Sequence, residues 1–79
     1  MSDKDRIKIF LEKETQRRID GNSVNLIEGG ILDSFSMVKL IDFLEKELGV
    51  KVNMEELTPK NFNSVELISQ MIEKWKSDR

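Results

Sequence analysis

The chain has 79 residues, no cysteine and no histidine, and its 13 lysines and arginines stand against 15 aspartates and glutamates, a formal charge of −2. That length allows one small domain with a thin core, spanning residues 1–79. The missing thiols exclude disulfides and thiolate metal sites, the missing imidazole removes the commonest general base and nitrogen ligand, and the near-balanced charge lacks the basic excess that neutralises nucleic-acid phosphates.

The opening residues, Met1 to Arg6, are charged and carry no apolar signal region. No apolar run reaches bilayer length, so a cytoplasmic chain without membrane insertion is expected. Ile7, Phe10 and Leu11 then share one face at helical spacing, which predicts a helix from about Asp3 to Ile19 with Gly21 as its stop. Ile9 falls off that face and is expected to be exposed.

Residues 21–33 show no helical period but contain Val24, Leu26, Ile27, Ile31 and Leu32. A loop with that many apolar groups is expected to pack on the core. Gly29-Gly30 marks a change of direction before the next element.

Met37, Leu40, Ile41, Leu44 and Leu48 form the clearest stripe in the chain and predict a second helix. It should open at Asp33 or Ser34, with Asp33 as N-cap, and stop at Gly49. Val50-Lys51-Val52 reads as an extended link. Thr58-Pro59 signals a short helix of one or two turns. The last helix should start near Asn63 or Ser64, with Asn63 and Glu66 as a capping box. Its buried face is Val65, Ile68, Met71, Ile72 and Trp75. The fold class is therefore all-α, a small bundle of three main helices plus a short third one.

The segment most informative about chemistry is Gly29-Gly30-Ile31-Leu32-Asp33-Ser34-Phe35. It puts a hydroxyl at a helix N-terminus, where partial positive charge favours an esterified anion. Asp33 opposes that by its own charge, so its value is in capping or in holding a metal ion during attachment. Ser34 has no base beside it and is a poor nucleophile alone. Taken as an isolated dipeptide, Asp33-Ser34 reads most simply as a helix cap.

The stretch from Ile31 to Leu40, with Asp33-Ser34-Phe35 at its centre, resembles the attachment motif of acyl and peptidyl carrier proteins. In that family a Gly-x-Asp-Ser-Leu type sequence opens the second helix. Phe10-Leu11, the apolar loop, Gly49-Val50 and the short third helix also fall where the family has them, so the resemblance runs from about Ile7 to Trp75. It implies a right-handed helical bundle, the four-helix carrier-protein fold. It implies that Ser34 takes 4′-phosphopantetheine from coenzyme A, with Asp33 assisting the magnesium-dependent transfer. The arm's thiol would hold an acyl or aminoacyl group as a thioester, presented to enzymes by a monomer that does not itself catalyse and keeps no resident metal. Its partners would be a phosphopantetheinyl transferase, a loading ligase and downstream acyl-processing enzymes.

Phe35 replaces the family's leucine. With Val38, Lys39 and Asp42 it is expected to form a partner-facing surface, although Phe35 and Val38 could instead pack against loops. Leu44, Leu57, Phe62 and Ile68 are candidates to line a cargo pocket between helix two and the short helix; plain core packing would account for them equally. The face reading Ser36, Lys39, Asp42, Glu45 and Lys46 departs from the strongly acidic second helix of fatty-acid carriers. Electrostatic matching sets partner choice, which points to a specialised lipid, secondary-metabolite or aminoacyl pathway. The segment from Leu57 to Ser64 resembles the corresponding region of D-alanyl and other aminoacyl carriers. The alternative function is a helical interaction module without a prosthetic group, using Phe35, Val38 and Phe43 as an apolar patch.

Overall fold

The computed structural model describes residues 2–19 and 25–77. Gly21 and Val24, read above as a helix stop and a packed loop residue, lie outside the described residues. Among the described residues the regular structure is four α-helices and one 3-10 turn: α1 (Asp3–Thr15), α2 (Ser34–Glu47), the turn Met54–Glu56, α3 (Pro59–Phe62) and α4 (Val65–Ser77).

Helix α1 starts where Ser2 Oγ accepts the Asp5 amide at 3.2 Å. It stops at Thr15, earlier than its apolar periodicity suggested, because Gln16 takes the left-handed conformation, φ 56°. The break lets the chain fold back. Ile19 is then buried, and its amide donates to Glu12 Oε2 at 2.8 Å. Extending the helix through Ile19 would forfeit both. Ile9 is exposed, as its position off the stripe implied.

The segment before α2 is a packed loop. Leu26 and Leu32 are buried, Ile27 and Ile31 pack on the core, and Leu32 N donates to Leu26 O at 2.7 Å. Gly29 N donates to Asn25 O at 2.6 Å, so close that a Cβ on Gly29 would sit 2.7 Å from that oxygen. Gly30 follows with φ +79°, a conformation in which glycine carries no Cβ penalty. These two glycines aim the chain into α2.

Asn63 ties that loop to the far side of the molecule. Its Oδ1 accepts from Ile27 N at 3.0 Å and Glu28 N at 3.3 Å, and its Nδ2 donates to Glu28 Oε1 at 2.8 Å. The expected capping box of Asn63 and Glu66 does not form. Ser64 supplies the cap instead, accepting from Leu67 N at 3.0 Å, and Glu66 pairs with Lys4 of α1. The Asn63 side chain serves the loop instead, giving an acceptor to the partly buried Ile27 amide and the exposed Glu28 amide beside it.

The core is Ile7 and Leu11 of α1, Leu40 and Leu44 of α2, Phe62 of α3, and Val65, Ile68, Ile72 and Trp75 of α4, closed by the loop residues Ile19, Leu26, Leu32 and Val50. α1 packs on both α4 and α2, and α3 packs on α4. Ion pairs from Lys4 to Glu66 and from Lys76 to Asp3 staple α1 to α4. Gly49, φ 65°, turns the chain after α2. Thr58 precedes Pro59 at the start of α3 without a side-chain cap. The 3-10 turn was not foreseen; Asn53 Oδ1 caps it through Glu55 N at 3.0 Å.

Candidate phosphopantetheine attachment site

Helix α2 begins at Ser34 because Asp33 is extended, φ −93° and ψ −177°, and its side chain accepts the Ser36 amide at 2.8 Å. That bond satisfies one of the orphan amides of the first turn. The bond from the Ser36 amide, with the Ser36 side chain second, holds the Asp33 carboxyl below the usual carboxylate range. Asp33 is consequently a carboxylate at neutral pH. Ser34, the first helical residue, is exposed between this cap and exposed Phe35.

The remaining described serines are differently placed. Ser36 and Ser64 are buried, Ser2 caps α1, and Ser77 Oγ donates to Glu73 O within its own helix. Ser69 lies within α4 and is half-buried. Ser34 alone among the described residues joins an exposed hydroxyl to the first position of a long helix behind a capping aspartate. Such a hydroxyl fits an esterified phosphate: it lies outside the core, and the helix start favours an anion.

The partner-surface candidates fall together on α2. Phe35 is 66% and Val38 65% exposed, far above the other large apolar side chains of the helix. They do not pack into loops. Lys39 and Asp42 are exposed on the same helix; Lys39 Nζ lies 5.4 Å from the Phe35 ring centroid, and Asp42 accepts Lys46 at 3.2 Å. Two neighbours read onto this face belong elsewhere. Ser36 is 7% exposed, because residue 36 turns toward the core side that Leu40 and Leu44 occupy. Phe43 is half-buried and stacks on Phe10 of α1, ring centroids 4.4 Å apart, so it belongs to the seam between α1 and α2 and not to the Phe35–Val38 surface.

Leu44, Phe62 and Ile68 are fully buried members of the central core, and Leu57 is half-buried against it. Phe62 lies against Trp75, centroids 6.1 Å apart. Sequence reasoning missed the groove between α1 and α2, where Arg6, Ile9, Phe10, Lys13 and Phe43 meet. The signal for it was the pair of aromatics, Phe10 on the apolar face of the first helix and Phe43 beside the stripe of the second.

An exposed serine thus stands at the head of the second helix of a small helical bundle, and residues 6–72 match the phosphopantetheine attachment site family, a family of carrier domains to which the chain belongs. The prosthetic group of that family is 4′-phosphopantetheine, held covalently on a serine. The chain is also 35% identical over 52 residues to the probable acyl carrier protein PigG of Serratia sp. (strain ATCC 39006). That alignment covers 66% of this chain and 60% of PigG, so the match spans less than two thirds of the relative's length. Members of the family are non-catalytic carriers, acted on by phosphopantetheinyl transferases and acyl-processing enzymes. No described helix is long and apolar enough to cross a membrane.

Proposed function

We propose that Ser34 is the attachment residue and that residues 1–79 work as one carrier domain. The observation that carries this is the exposed Ser34 hydroxyl at the first position of α2 behind the Asp33 cap. The arm would supply the thiol that the chain lacks, and that thiol would hold an acyl or aminoacyl group as a thioester. Asp33, ionised and beside Ser34, is suited to hold the magnesium ion of the transfer reaction while it caps the helix. The carrier acts as a cytoplasmic monomer on which a transferase, a loading ligase and downstream enzymes work in turn. Tethering raises the concentration of cargo at each of their sites.

Phe35, Val38, Lys39 and Asp42 form the surface those enzymes meet. Lys39 and Lys46, exposed on α2, support a specialised lipid, secondary-metabolite or aminoacyl pathway over general fatty-acid synthesis, because they oppose the basic patches that acidic carriers fit. A cargo pocket bounded by Leu44, Leu57, Phe62 and Ile68 would require core side chains to part. That favours cargo small or polar enough to remain outside.

The test is intact mass before and after incubation with coenzyme A, magnesium and a broad-specificity phosphopantetheinyl transferase. One phosphopantetheine is gained by the native chain and none by Ser34→Ala. A gain that survives Ser34→Ala would place the arm on another residue. No gain by the folded native chain with several transferases would leave an interaction module as the function.

A further inference from the structure

The groove between α1 and α2 has a composition that neither the core nor the Ser34 surface explains. Its floor is Phe10 stacked on Phe43, with Ile9, 38% exposed, beside them. Two adjoining hollows of about 290 Å³ and about 190 Å³ share both phenylalanines. They are small and open for enclosing a ligand of drug size, and suited to single side chains entering from outside.

Charge surrounds this floor unevenly. The walls carry Arg6, Lys13, Lys39 and Lys46 against Asp42 and Glu47, a local charge of +2 on a chain whose total is −2. Both wall carboxylates are already matched: Asp42 pairs with Lys46 at 3.2 Å, and Glu47 lies 4.0 Å from Arg6. Lys13 and Lys39 make no salt bridge among the described residues. Lys39 also links the groove to the exposed Phe35 ring, 5.4 Å from its Nζ. The groove therefore continues the partner-facing strip of α2 sideways onto α1.

We propose that this seam is a docking groove for an acidic amphipathic helix of a partner protein, seating apolar side chains over Ile9, Phe10 and Phe43 and carboxylates against Lys13 and Lys39. A helix laid in an apolar groove with flanking charges is a recurring recognition mode, and the charges choose the partner. The groove's use does not depend on the arm, so this goes beyond the carrier reading and is tested on the unmodified chain.

The probe is a helical peptide with one leucine stripe flanked by glutamates; its control has the same stripe flanked by lysines. Binding is followed by amide chemical shifts of the whole chain at low salt, where surface charges are least screened. The glutamate peptide is expected to shift Ile9, Phe10, Lys13, Lys39 and Phe43. Lys13→Glu with Lys39→Glu is expected to weaken it about tenfold, and Ile9→Ser, a change at an exposed position, to weaken it with the fold intact. Equal binding of both peptides, shifts centred away from the seam, or no binding at millimolar peptide would each overturn the proposal. Mass gain at Ser34 is read on the native chain and does not depend on the peptide, so the two readings fail separately.

Discussion

Asp33 Oδ1 accepts the backbone amide of Ser36 at 2.8 Å, bridging over Ser34 and Phe35, and so commits the aspartate side chain to starting the helix while the serine between them stays exposed. One short bond thus sets both the first residue of α2 and the accessibility of its hydroxyl.

Removing the acceptor separates capping from charge. Asp33→Ala is expected to lower the melting temperature, while Asp33→Asn, which keeps an acceptor oxygen, is expected to hold most of it. If magnesium-dependent transfer needs the carboxylate, both variants lose the rate of phosphopantetheine gain. Thermal unfolding by circular dichroism and the initial rate of mass gain read the two roles apart.

The depressed Asp33 carboxyl also gives a pH dependence. Its folded pKa lies below its unfolded value, so its contribution is fully present above the unfolded value and is lost as pH falls through the folded one. Glu66, lowered chiefly by its hydrogen bond from Lys4, acts in the same direction. Stability should therefore be flat near neutral pH and fall below about pH 4. In Asp33→Asn the acid limb should be shallower, as measured by denaturant midpoints from neutral pH downward.

The Ser34 side chain makes no hydrogen bond among the described residues. Ser34→Ala should change unfolding free energy by less than about 0.5 kcal/mol, measured by urea unfolding. A larger loss would mean that the absence of mass gain in that variant reflects misfolding.

Asn63 joins the loop that leads into α2 to the turn before α4 through three side-chain hydrogen bonds. Asn63→Ala should cost about 1–3 kcal/mol, chiefly by leaving the partly buried Ile27 amide unpaired. Hydrogen exchange should accelerate first at Ile27 and Glu28.

Phe62, a fully buried residue of the short helix α3, touches the Trp75 ring of α4. Phe62→Ala should cost about 3–5 kcal/mol. That approaches the whole stability of a small domain, so the variant is expected to be largely unfolded at ambient temperature by circular dichroism. A mild effect would show that α3 opens readily, which is what a core-sheltered cargo would need.

How much was legible in the sequence depended on the range of the interactions. The start of α2 was legible because its signal, Asp33 before an apolar stripe, is local, and the structure puts the cap on that residue. Gly49 and Pro59 marked their boundaries for the same reason: each acts through its own backbone, the glycine by admitting a positive φ and the proline by fixing φ at the helix start. The end of α1 was not legible, because stopping at Thr15 depends on burying Ile19 and on an acceptor seven residues earlier in Glu12. Asn63 looked like a cap by spacing, yet its side chain answers amides that are 35 and 36 positions away. Phe43 looked like exposed apolar surface until α1 brought Phe10 onto it.

By itself, then, the sequence determined an all-helical chain, the position of the second helix and the serine at its head, since caps, glycines and apolar period act within a few residues. Only the tertiary structure decided which apolar side chains close the core, which remain exposed beside Ser34, and that two helices meet in a basic, aromatic-floored groove. Those outcomes depend on surfaces meeting across the chain, where burial of apolar area and satisfaction of buried amides choose among arrangements that local pattern leaves equal.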